Sequence, residues 1–249
     1  MAYNTIFKRY PCSDLVQIKT YSWAIEEGQE RNVRYDESSN EKRNRALDSQ
    51  RNSMRRTKNA VYDIARANED RWELFVTLTF NPEKVNSFDY DITCRKLSNY
   101  LHRLRKNNPD LVYLGVPEQH KSGRYHFHFL MGNCENLKLV DSGHKTRKGQ
   151  VIYNVGSYRL GFSTATRIEN TQRVCSYITK YLTKELCTFT KNKKRYWCSK
   201  NVFRPTAEKF MLNLEDYNFE DRCEYHKHID VKNEQSMEIY ETRSGFADG

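Results

Sequence analysis

What the chain lacks narrows the field first. No run of ~18 apolar residues occurs, so no helix is expected to cross a membrane. The opening MAYNTIFKRYPCSD has no long apolar centre, so no secretory leader is expected. The seven cysteines (Cys12, Cys94, Cys134, Cys175, Cys187, Cys198 and Cys223) form no CxxC pair. That spacing argues against a zinc knot or a disulfide framework and for reduced thiols in a cytoplasm. There is no GxxxxGK[ST] loop and no internal repeat, so neither a nucleotide-driven motor nor a solenoid is encoded.

What is there is positive charge. Lys and Arg number 42 against 32 Asp and Glu, a formal net charge of +10 over 249 residues. A balance of that sign suits a polyanionic partner. It is unevenly spread: residues 206–249 hold 11 acidic and 5 basic side chains, a net of −6, which leaves +16 on residues 1–205. An acidic tail on a basic body fits a nucleic-acid-binding protein.

The stretch YHFHFLMG, residues 125–132, is the most informative. Side chains alternate along a strand, so Tyr125, Phe127 and Phe129 form an aromatic face for a core. His126 and His128 then share the other face, ~7 Å apart at ~3.3 Å per residue. Imidazole is the commonest protein ligand for a metal ion. A second HxH, His226 and His228 in YHKHID, has charged flanks and no apolar face, and is read as surface.

Around this stretch, LVQIKTYSWAI (15–25), ELFVTLTF (73–80), LVYLGVPE (111–118), 151–153 and 162–168 read as strands. In ELFVTLTF, Val76, Leu78 and Phe80 face one side, with Thr77 and Thr79 on the other. Residues 36–68 read as a basic helix or partly ordered linker. Leucines 97, 101 and 104 mark a helix over 89–106 that Asp89 or Asp91 could cap, and 141–150 reads as a polar loop. A five-residue turn at 119–123 would pair Glu118 with Arg124, Val116 with His126 and Leu114 with His128. Glu118 then falls on the histidine face as a third ligand, with His120 in the turn as the alternative.

Asn170 or Thr171 opens a helix expected to reach about Leu186. Val174, Ile178, Leu182 and Leu186 form its buried stripe, and Tyr177, Lys180, Tyr181 and Lys184 another arc. A tyrosine hydroxyl can attack a phosphodiester when a lysine and a bound cation support the developing charge. The covalent ester keeps the bond energy, so the strand can be rejoined without ATP. Lys191, Lys193, Lys194, Arg195 and Arg124 are expected to contact DNA.

FVTLTF (75–80), the HFH of YHFHFL (125–130) and YITKYLTK (177–184) resemble, in order and spacing, the HUH endonucleases. These are the rolling-circle replication initiators of small phages, plasmids and single-stranded DNA viruses. The doubled YxxK is most similar to the microvirus type with paired tyrosines. The resemblance covers residues ~73 to ~186 and implies roles for matched positions. His126, His128 and, more loosely, Glu118 would hold Mg²⁺ or Mn²⁺. Tyr177 and Tyr181 would be nucleophiles, with Lys180 positioning them. It implies an α+β fold, ferredoxin-like (RRM-like), with a central antiparallel sheet of about five strands and helices packed on one face. It also implies nicking of single-stranded or hairpin origin DNA through a 5′-phosphotyrosine, with a separate host helicase and polymerase. The expected division is a basic extension (1–72), an endonuclease domain (73–205) and an acidic tail (206–249). The rival from another class is a non-catalytic single-strand- or RNA-binding module, because KSGRYHFHFL also resembles the aromatic strand of an RRM. An HUH relaxase or transposase would share the chemistry.

Overall fold

In a computed structural model the described residues are 1–27, 39–183, 193–231 and 234–243, with the side chains of 39–47 and 222 not described. The chain forms two compact units, Met1–Ser38 with Phe203–Gly249 and Ser39–Val202. The region expected as an acidic tail therefore joins the N-terminal strands, and the basic helix belongs with the histidine strand.

The first unit is a five-stranded antiparallel sheet. Strands β1 (Ala2–Arg9) and β2 (Leu15–Glu26) form a hairpin, and β10 (Thr206–Phe210), β11 (Tyr225–Val231) and β12 (Gln235–Arg243) complete the order β10-β1-β2-β12-β11. Val16, Ile18, Phe219 and Tyr240 are its small buried core.

The second unit holds helix α1 (Ser39–Ala67), β3 (Leu74–Phe80), α2 (Tyr90–Asn107), β4 (Val112–Gln119) and β5 (Tyr125–Gly132). After these come β6 (Leu139–Lys145), β7 (Val151–Val155), β8 (Gly161–Arg167), α3 (Thr171–Tyr177), a 3₁₀ turn (Ile178–Tyr181) and β9 (Trp197–Cys198). Its strands form one antiparallel sheet in the order β6-β7-β8-β3-β5-β4-β9. The expectation of a single sheet of about five strands covered on one face is thus corrected: there are two sheets, of five and seven strands. On the larger one helices lie against both faces. Tyr90 of α2 meets Tyr125 edge-to-face with ring centroids 4.9 Å apart, while Tyr181 of the 3₁₀ turn stacks on His128 from the opposite face.

Local chemistry explains the boundaries. The Asp89 carboxylate accepts from the Ile92 amide (2.9 Å) and caps α2, and the Asn170 side chain accepts from the Arg173 amide (2.7 Å) and caps α3. The apolar side of α1 is legible only near its end, where Val61, Ile64 and Ala65 are fully buried. The loop expected at 141–150 is instead half of a hairpin: β6 pairs with β7, and Thr146 N donates to Gln150 O (2.8 Å) across the turn. Most of β6 is exposed, so no apolar alternation announces it.

The β4–β5 register also differs from expectation. Glu118 pairs with His126, Val116 with His128 and Leu114 with Leu130, two residues away from the predicted pairing. The cause is the turn. His120 N donates to Arg124 O and Gly123 N to His120 O (both 2.8 Å), closing a three-residue loop with Gly123 at φ +85°. A glycine in the left-handed region is the device such loops use. Because the slip is even, Glu118 keeps the face assigned to it.

Between β4 and β5, Gly115 lies opposite Phe129, whose ring covers it: a Cβ there would stand 2.1 Å from the ring edge. Phe129 is fully buried. Gly115→Ala is therefore expected to lower stability by about 1–3 kcal/mol through overpacking. Phe129→Leu added to it should recover part of the loss. Urea unfolding of both variants checks this, and an unchanged midpoint for Gly115→Ala would refute the close packing.

Candidate functional site

The antiparallel pairing of β3 with β5 sets Thr77 opposite His128 and Thr79 opposite His126. Both pairs lie on the face away from Val76, Leu78, Phe127 and Phe129, which are fully buried. Each threonine hydroxyl meets the Nδ1 of its partner, Thr77 to His128 at 3.1 Å and Thr79 to His126 at 2.9 Å. The two Nε2 atoms are thereby left for other work. Nε2 of His128 is 2.6 Å from Oε2 of Glu118 on β4. Burial above all depresses both imidazoles below the ordinary 6.5, helped for His126 by nearby His120, while Glu118 pulls the other way. Neutral imidazole is the form that ligates a metal.

With His128 Nε2–H donating to Glu118, Nδ1 accepts from the Thr77 hydroxyl. Freeing Nε2 for a cation moves the proton to Nδ1, which then donates to the same oxygen. A hydroxyl can do either. Among the described residues no group of three or more His, Cys, Asp or Glu side chains converges as a cation site as it stands. The atoms a cation would take on His128 and Glu118 are instead joined to each other. Two imidazoles with tethered Nδ1 atoms and one carboxylate nonetheless fit a divalent ion in donor type, with open positions left over.

The tyrosines come to this same face. Tyr181 stacks on His128 with ring centroids 3.6 Å apart and planes at 15°. Its hydroxyl donates to the Tyr177 hydroxyl at 2.9 Å. Burial first, then the hydrogen bond to Tyr177, hold the Tyr181 phenol well above its usual 10. Tyr177 is 42% exposed. The Lys180 ammonium lies 5.3 Å from the centre of the Tyr177 ring. The helix expected to run to Leu186 is α-helical only to Tyr177 and passes into the 3₁₀ turn at Ile178. In the expected buried stripe, Ile178 and Leu182 are fully buried and Val174 partly so. Leu186, Lys184 and Lys191 lie outside the described residues.

The remaining basic candidates are dispersed. Lys193 pairs with Asp91 (2.6 Å) and Lys194 lies 5.4 Å from the Trp197 ring, both against α2, while Arg195 donates to Ser53 of α1 (2.8 Å). Arg124 sits over the exposed ring of Phe88 at 5.4 Å. His120, in the turn, is 5.5 Å from His126 ring to ring, and its Nδ1 faces Ser122 Oγ at 3.2 Å.

Sequence reasoning sets Thr77 and Thr79 on the face away from the core without giving them a role, and it misses Phe75. Phe75 packs against His128, Tyr177 and Tyr181 at 5.8–6.2 Å, making the apolar floor beneath both phenols. The pairing of a TLT stretch with an HFH stretch is the available signal.

Residues 73–186 match the model of a family described as replication-associated protein, of the ORF2 type. The match begins beside β3 and ends just past the paired tyrosines, and it is consistent with a rolling-circle replication initiator. Comparison with curated proteins and with solved structures finds no match.

Thr79→Val keeps the shape and removes the hydroxyl. It should cost about 0.5–1.5 kcal/mol in stability and shift the tautomer balance of His126. ¹⁵N correlation spectra of the imidazoles read this directly, and unchanged His126 nitrogens would show that the threonine does not hold the ring.

Proposed function

We propose that the protein initiates replication by nicking and rejoining single-stranded origin DNA through a phosphotyrosine. The observation that carries this reading is the stack of Tyr181 on His128, with Tyr177 hydrogen-bonded to Tyr181, which gathers two phenols and an imidazole–carboxylate pair at one place. A structural role for the tyrosines does not require them to meet the histidines. The match of residues 73–186 supports the same reading.

In this proposal Tyr177 attacks first. It is the exposed member of the pair, and the Tyr181 O–H already aims at its oxygen. A donated hydrogen bond stabilises negative charge developing there. The Tyr177 oxygen bonds to phosphorus, the bond from phosphorus to the 3′ oxygen breaks, and that oxygen leaves as a 3′ hydroxyl after taking a proton. The product is a 5′-phosphotyrosine, and attack by a 3′ hydroxyl, or by Tyr181, reverses the exchange. His126, His128 and Glu118 would hold Mg²⁺ or Mn²⁺, whose chemistry when bound is to stabilise charge on the phosphoryl oxygens. Lys180 supports the phenolate, and the basic side chains bind the strand. A host helicase and polymerase would complete replication in a cytoplasm. Among the described residues no helix is long and apolar enough to cross a membrane.

Incubation with labelled single-stranded oligonucleotide and Mn²⁺, followed by a denaturing gel, tests the proposal. Tyr181→Phe should still form the first adduct, Tyr177→Phe should lose it, and His126→Ala should abolish cleavage with single-strand binding kept. An adduct that survives loss of both hydroxyls would sink the assignment. Thr77→Val and Thr79→Val together should weaken Mn²⁺ binding about 10–100-fold.

A further inference from the structure

A cavity of about 200 Å³ opens beside His126, walled by Phe80, Ser87, His120, Ser122 and Arg124. A drug-sized ligand takes ~300–1,000 Å³, so this space suits one flat ring system. Two of its walls carry donors that the protein leaves unused. Ser87 is 1% exposed, and its Oγ has no hydrogen-bond partner; the buried Nε of Arg124 has none either. Buried polar groups are almost always paired, so two orphans around one cavity point to a partner that arrives from outside.

The surroundings define that partner. The Ser87 carbonyl accepts from the Tyr125 amide (2.8 Å), which fixes it to the start of β5. Phe88, next in the chain, is 54% exposed and lies under the Arg124 guanidinium at 5.4 Å. The turn residue Gly123 packs against the same ring, so that a Cβ there would stand 3.4 Å from it. The site thus offers an aromatic wall, an exposed aromatic step and a guanidinium with free donors. Guanine presents two adjacent acceptors, O6 and N7, on one edge, and arginine is their commonest reader.

We propose that this cavity is a guanine-reading subsite for a base of the single strand close to the phosphate that is cut. The placement of that base rests on the reading above; the guanine preference does not. Arg124 and Ser87 take the acceptor edge, Phe88 receives the neighbouring base by stacking, and His120 closes the side toward His126.

Fluorescence anisotropy in EDTA tests it without chemistry. The probes are oligo(dT), oligo(dT) with one central guanine, and the same strand with 7-deazaguanine. The intact protein should bind the guanine strand about 5–100-fold more tightly than oligo(dT), and the 7-deaza strand should lose most of that preference. Arg124→Met should erase the preference, and Ser87→Ala should reduce it several-fold, with unchanged thermal unfolding showing that both still fold. Equal binding of all three strands by the intact protein, or a preference retained in Arg124→Met, overturns the subsite. The two readings fail separately. A guanine preference without an adduct removes the nickase alone, and an adduct without the preference removes the subsite alone.

Discussion

The pairing of two threonines on one strand with two histidines on the next is the constraint on which this protein's site depends. β3 and β5 run antiparallel with Thr77 against His128 and Thr79 against His126. The period of two that hides Val76, Leu78, Phe127 and Phe129 in the core is the same period that exposes the polar pairs on the reverse face. Core packing and site geometry are therefore one decision. A one-residue slip would bury imidazoles among aromatic rings and turn phenylalanines toward solvent, so the hydrophobic core enforces the alignment of the polar face.

That coupling also explains what can be read from the chain. The alternation in YHFHFL and ELFVTLTF is strong because one face is fully buried, and the caps at Asp89 and Asn170 announce themselves chemically. The strands without a sequence signal, β6, β10 and β11, are mostly exposed and bury too little to impose a pattern. The two-residue displacement of β4 against β5 is hidden for another reason. It depends on Gly123 adopting φ +85°, a choice of loop conformation that alternation cannot report. The convergence of Tyr181 on His128 is not legible from spacing alone, since it brings together elements far apart in the chain; the ordered motifs only suggest it.

The second HxH gives an internal comparison. Its charged flanks set His226 and His228 on the surface outside any strand, and they are exposed, yet they do lie on one, β11. Their neighbours differ from those of the first pair. Glu238 and Asp230 take their nitrogens directly, and His226 stacks on Tyr240. Acidic partners raise His228, where burial lowers His126 and His128. The same three-residue pattern thus gives opposite electrostatics, because strand context rather than spacing sets the protonation state.

The passage from α-helix to 3₁₀ turn at Ile178 carries a consequence for the two phenols. Four residues along an α-helix advance the side chain by ~40° beyond a full turn; at three residues per turn the advance is ~120°. Tighter winding is what fans Tyr181 inward onto His128 and leaves Tyr177 outside. Two chemically identical residues become inequivalent through pitch alone, and unwinding that single turn is the motion along which they would exchange places.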